Sequence, residues 1–108
     1  MQLDDYQRAA RRTAIYADQH RVIYPALGLA SEAGEVAGKI KKVLRDQGGD
    51  FASAPLEALE DELGDVLWYV AVLAADLGLS LEDIAARNLE KLASRRQRGR
   101  LGGAGDER

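Results

Sequence analysis

Apolar residues along this chain recur at intervals of three and four rather than two, a period that predicts helices and offers no convincing strand. A first helix is expected from about Leu3 to Gln19, where Leu3, Tyr6, Ala10, Thr13 and Ala17 share one face and Arg8, Arg11 and Arg12 another. A second starts after Pro25 and runs to about Arg45 on a stripe of Leu29, Val36, Ile40 and Val43, stopped by Asp46-Gln47-Gly48-Gly49-Asp50. Ser53, with Pro55 in the first turn, opens a third helix that reaches about Leu77 and ends at Gly78. Ser80-Leu81-Glu82-Asp83 has the form of a capping box and opens a fourth, with Leu81, Ile84, Ala85, Asn88 and Leu92 on one face. Glycines 99, 102, 103 and 105 predict a flexible tail, so residues 1–98 are expected to form one all-α, four-helix bundle-like domain.

The third helix bears on assembly. Between Leu63 and Leu77 only Gly64, Asp65 and Asp76 interrupt a run holding Val66, Leu67, Trp68, Tyr69, Val70, Val72 and Leu73. Four short helices cannot cover every side of such an element, so a homodimer or homotetramer is expected. Composition narrows the rest. At 108 residues one domain fits, and a net charge of −3 gives no broad attraction to nucleic acid or an anionic membrane. The absence of cysteine excludes disulfides and thiolate sites; with acid in Met1-Gln2-Leu3-Asp4-Asp5 and no apolar run of membrane length, a cytoplasmic protein is expected.

Candidate chemistry lies in two short motifs. Glu32-Ala33-Gly34-Glu35 puts carboxylates at i and i+3 of the second helix, and Glu62-Leu63-Gly64-Asp65 repeats the spacing on the third. An antiparallel pair brings the four acids together, and a glycine within each motif suggests close approach of the backbones. Such carboxylates repel unless a cation neutralises them. Oxygen donors without cysteine, and with the lone His20 elsewhere, favour Mg²⁺, with Mn²⁺ as a substitute, and a carboxylate-held magnesium points to phosphoryl chemistry. Acids at i and i+3 are usually a solvated face, but both motifs border strongly apolar residues, unlike Glu57, Glu60 and Asp61 in the first turn of the third helix.

A phosphate-bearing substrate also needs cations. Asn88, Lys91 and Arg95 make a stripe at i, i+3 and i+7 on the fourth helix, where the competing reading is a basic C-terminus that complements the helix dipole. Alignment with Ile84 suggests that Asn88 is partly buried and has a specific hydrogen-bond partner. Lys39, one turn past Glu35, is a candidate for touching phosphate, with a plain ion pair to the acids the simpler role. Trp68 is a weaker candidate for stacking on a base, since an aromatic there equally suits core or interface.

The segments Leu27-Gly28-Leu29-Ala30-Ser31-Glu32-Ala33-Gly34-Glu35-Val36, Glu62-Leu63-Gly64-Asp65-Val66-Leu67-Trp68 and Asn88-Leu89-Glu90-Lys91-Leu92-Ala93-Ser94-Arg95 together resemble the MazG-type all-α nucleoside triphosphate pyrophosphohydrolases, relatives of the all-α dUTPases. The resemblance covers about Tyr24 to Arg95. It implies magnesium on Glu32, Glu35, Glu62 and Asp65, phosphate contacts from Asn88, Lys91 and Arg95, and a helical dimer or tetramer with sites near subunit contacts. It further implies hydrolysis of a nucleoside triphosphate to monophosphate and pyrophosphate, with nucleotide-pool housekeeping expected and a dUTP- or dCTP-selective enzyme its competitor; the expected mechanism takes Glu32 or Glu35 as the base, between which helical spacing does not choose. A non-catalytic helical adaptor, its third helix binding a partner and its acids only conferring solubility, is the competing reading.

Overall fold

Four helices form and no strand does: α1 (Leu3–Arg12), α2 (Ile23–Gln47), α3 (Leu56–Asp76) and α4 (Leu81–Gln97), in a computed structural model that describes residues 1–108. Short 3₁₀ turns at Asp18–His20 and Phe51–Ser53 interrupt the connections. No single helix is long and apolar enough to cross a membrane.

The first helix stops seven residues short of the expected Gln19. Thr13 turns its hydroxyl back to donate to the Ala10 carbonyl at 2.7 Å, and the same oxygen accepts the Trp68 indole N–H at 2.8 Å, a side-chain alternative to further helix. The third helix likewise starts later than Ser53. Ser53 belongs to the 3₁₀ turn, where its hydroxyl donates to Asp50, and Pro55 precedes the first helical residue, Leu56. The second helix runs further at both ends, taking Pro25 into its first turn and ending on Gly48 in the left-handed region at φ 61°.

α1 organises the start of α4. Buried Gln7 donates to the carbonyls of Ala71 and Leu79 and accepts the Leu81 N–H, while Asp4 accepts from Glu82 N–H and from the Ser80 hydroxyl. Those bonds, the Glu82 amide foremost, hold the Asp4 carboxyl below its ordinary range. Ser80 accepts from Asp83 N–H as the expected N-cap. The result is a sharp turn, and α4 leaves α3 at 105°.

Asp76 fastens the other connection. Its fully buried side chain accepts the Tyr16 hydroxyl at 2.5 Å and the Val22 N–H at 3.0 Å, with Arg11 and Arg21 within 3.8 Å. Val22 sits at φ 70°, ψ −55° in a three-residue turn closed by Ile23 N–H donating to Arg21 carbonyl, a strain on the order of 1–3 kcal/mol for a β-branched residue that the Asp76 bond helps to hold. Burial, then Asp76, pushes the Tyr16 phenol up to about 12.

Ala10, Ala71, Val72 and Leu81 make the main core, with Tyr6, Ala14, Tyr16, Trp68 and Val70 around it. It is small: 10 of 108 residues are buried. The chain exposes 7770 Å², where a compact chain of 11.7 kDa exposes about 5,900 Å², and its radius of gyration is 16.7 Å against about 13 Å for a closed globule.

Candidate metal centre

α2 and α3 pack antiparallel, and this contact brings the two acidic motifs together. One carboxylate oxygen from each of Glu32, Glu62 and Asp65 lies within 4.8 Å of the other two. Glu35 is exposed and falls outside that set of three, although its charge still acts on Glu32. Crowding shows in the proton affinity of Glu32. A hydrogen bond shared with Glu62, then burial, then the charges of Asp65, Glu62 and Glu35 raise its carboxyl above the ordinary range. Lys39 supplies the nearby cation, its Nζ 3.7 Å from Glu62 Oε1, which is the ion-pair role expected of it.

The donor set suits a hard divalent ion. Three carboxylate oxygens from two rigid helices converge on one small volume, one of them reluctant to ionise, with a single lysine alongside. Beyond Lys39 the groove widens into a cavity of about 340 Å³ between the end of α2 and the start of α3, walled by Lys42, Asp46, Gln47, Ser53 and Pro55.

Both glycines of the motifs face away from the helix pair. A Cβ at Gly34 or Gly64 would meet nothing within 4 Å, so the expected close approach of backbones does not occur there within the chain. At Gly28, one turn before Glu32, it is a side-chain ring rather than a backbone that comes close: a Cβ there would lie 2.1 Å from the Tyr69 ring. That ring stands one turn past Asp65 and forms an aromatic group with Trp68, edge-on at 4.9 Å, and Tyr24 at 6.4 Å, which in turn stacks on Tyr16. Burial first, then a hydrogen bond with Tyr24, then the charges of Tyr24, Glu32 and Asp65 raise the Tyr69 phenol. No contact between Gly28 and Tyr69 is evident from the sequence; its one local sign is that the two residues stand at i−4 from Glu32 and i+4 from Asp65.

The fourth-helix residues stand apart. Asn88 is exposed and its side chain makes no hydrogen bond, so the specific partner expected for it is absent from this chain. Lys91 Nζ lies 3.0 Å from Asp106 Oδ1 in the tail. Arg95 is only 4% exposed; its Nη2 lies 3.3 Å from the same carboxylate oxygen and donates to the Asp106 carbonyl at 2.8 Å, while its Nε–H is buried without a partner. Lys91 foremost, with Arg95, holds the Asp106 carboxyl below its ordinary range. No bond or ion pair links α4's cations to the carboxylates of α2 and α3. Trp68 packs beside the core, and its N–H is taken by Thr13.

Helices alone, with paired acids projecting from an antiparallel couple onto one oxygen-lined point, define an all-α protein with a carboxylate centre of the kind that takes divalent cations. Residues 24–99 match the MazG nucleotide pyrophosphohydrolase domain, and the chain belongs to that family. Among curated proteins it is 46% identical to "Gene 37 protein" of Mycobacterium phage L5 over 114 aligned positions spanning the whole of both chains. It is 38% identical to "Uncharacterized protein YvdC" of Bacillus subtilis (strain 168) over 72 positions, covering 62% of this chain and 68% of that one. No solved structure matches.

Proposed function

We propose that this chain hydrolyses nucleoside triphosphates to the monophosphate and pyrophosphate, with Mg²⁺ held by Glu32, Glu62 and Asp65, in nucleotide-pool housekeeping. The observation that carries the reading is the convergence of three carboxylate oxygens across α2 and α3 inside a nucleotide pyrophosphohydrolase domain. When bound, magnesium neutralises phosphate charge and polarises the phosphorus under attack. Glu35, near the three converging acids but outside their cluster, is free to take the proton from the attacking water as its oxygen bonds to phosphorus in line with the bond to the departing pyrophosphate. Lys39 stays with Glu62 in the resting site and orients that carboxylate.

Assembly belongs to the same reading. The roughly 1,900 Å² of surface beyond that of a compact chain is on the scale of a stable interface. The outward Gly34 and Gly64 lie on helices whose exposed apolar residues include Leu27, Leu44, Leu63 and Leu67, which favours a second copy packing there as a dimer or tetramer. Lys91 and Arg95, which make no ion pair with Glu32, Glu35, Glu62 or Asp65 of their own chain, then serve the phosphates at a copy's centre.

A panel of standard and modified nucleoside triphosphates and diphosphates with Mg²⁺, scored for monophosphate and pyrophosphate, tests the activity. Pyrophosphate release that requires Mg²⁺ supports the reading; no release from any triphosphate, together with no Mn²⁺ heat in calorimetry, favours a non-catalytic helical adaptor. Light scattering that shows a monomer at micromolar concentration would remove the assembly.

A further inference from the structure

The carboxylate centre depends on the spacing of two helices, and one contact beside it is unusually close. In the antiparallel α2–α3 pair, a step of one turn from Glu32 toward the start of α2 reaches Gly28, and a step of one turn from Asp65 toward the end of α3 reaches Tyr69. These two residues meet. A Cβ at position 28 would lie 2.1, 2.4 and 2.6 Å from Cε1, Cζ and Cδ1 of the Tyr69 ring, whereas carbon atoms in contact sit about 3.5–4.0 Å apart. The ring thus lies directly on the α2 backbone, in space that only glycine leaves open.

The ring has little freedom to give way. Trp68 stands edge-on to it at 4.9 Å, with its indole N–H fixed to Thr13, and Tyr24 flanks it with a centroid 6.4 Å away. Tyr24 is itself stacked at 4.9 Å on Tyr16, whose hydroxyl is bonded to Asp76. A side chain added at position 28 therefore presses on a fenced ring, and the helix pair must open by about 1.5 Å to restore carbon–carbon contact. Magnesium accepts ligand positions only within about 0.2 Å of its ideal distances, so such an opening one turn from Glu32 and Asp65 exceeds what the centre tolerates.

We propose that Gly28 and Tyr69 are positioning residues for the metal centre: the ring seated on the Gly28 backbone sets the α2–α3 separation at which Glu32, Glu62 and Asp65 converge. The inference rests on the metal reading given above and is tested without recourse to turnover. Mn²⁺ affinity of the full-length protein is measured by calorimetry, with circular dichroism on the same samples. Gly28→Ala should weaken Mn²⁺ binding ten-fold or more while helicity is retained. Tyr69→Ala should weaken it several-fold, and Tyr69→Phe, which keeps the ring, should regain most of that loss. The double variant Gly28→Ala with Tyr69→Ala should bind better than Gly28→Ala alone, since the added methyl then enters space the ring has left.

Wild-type affinity in folded Gly28→Ala, or losses that simply multiply in the double variant, would overturn the positioning role. Should Gly28→Ala fail to fold, the Tyr69 pair decides: equal Mn²⁺ affinity in Tyr69→Ala and the wild type overturns the proposal. Absence of Mn²⁺ binding by the wild type itself would instead bring down the metal reading, and this proposal with it.

Discussion

Along α2 and α3 the charged groups of interest face one another across a packed contact, whereas along α4 they turn away from that contact and are engaged by the chain's own tail. The acidic half of the proposed site is assembled by neighbouring helices within one chain. The cationic half is not: the 105° turn after Asp76 carries Lys91 and Arg95 off, and Asp106 occupies them. A centre whose two halves are built so differently separates what a single copy is proposed to do, hold a cation, from what the proposed assembly adds, a grip on phosphate.

The sharpest break falls on the acidic half. Glu35→Gln should lower pyrophosphate release by about 100- to 10,000-fold if Glu35 is the proton acceptor, with Mn²⁺ binding largely preserved; near-normal turnover by that variant would end its role as base. On the cationic half, Arg95→Ala should raise KM by about 10- to 100-fold, the scale of one charge-assisted contact. Mixing the two inactive or weakened proteins under exchange conditions then examines the division itself. Activity recovered above that of either variant means that α4 of one copy serves the acids of another, and a mixture no better than its parts means that it does not.

A smaller effect is expected in stability. The folded-state pKa of Glu32 is raised, so the folded protein holds that proton more tightly than the unfolded chain does. Its favourable contribution is complete below the ordinary carboxylate pKa and is lost as pH rises through the raised value, leaving mutual repulsion at neutral pH without a cation. Glu32→Gln should thus raise the thermal midpoint of EDTA-treated protein at pH 7 and abolish the further rise that Mg²⁺ gives the wild type. An unchanged midpoint in EDTA would show that the crowding is relieved in solution. Smallest of all, Asp106→Ala releases Lys91 and Arg95 from an internal carboxylate and should tighten inorganic pyrophosphate binding a few-fold in calorimetry; weaker binding would mean that the tail helps to hold Arg95 in place.

Much of this could be read in the residues because helices advertise themselves. The 3.6-residue period, the Ser80 cap and the acids at i and i+3 are local features: four helices form, Ser80 caps the fourth, Lys39 pairs with Glu62, and Glu32, Glu62 and Asp65 converge while Glu35 stays outside. What escaped depends on partners distant in sequence. α1 ends at Arg12 because Thr13 is bonded to Trp68, fifty-five positions later. Asn88 lacks the expected partner because Asp4 and Gln7 of α1 fix the direction of α4, and no period within α4 encodes that direction. The motif glycines show the same limit. Their helix-weakening cost was visible, but which glycine meets a neighbour was not, and the contact lies at Gly28 rather than at Gly34 or Gly64.

With only 10 of 108 side-chain environments closed to water, an isolated copy has few internal contacts to resist unfolding. In the proposed assembly folding and encounter are linked by mass action, so the melting temperature should climb with protein concentration and the proposed activity should fall on dilution while every residue of the centre is intact.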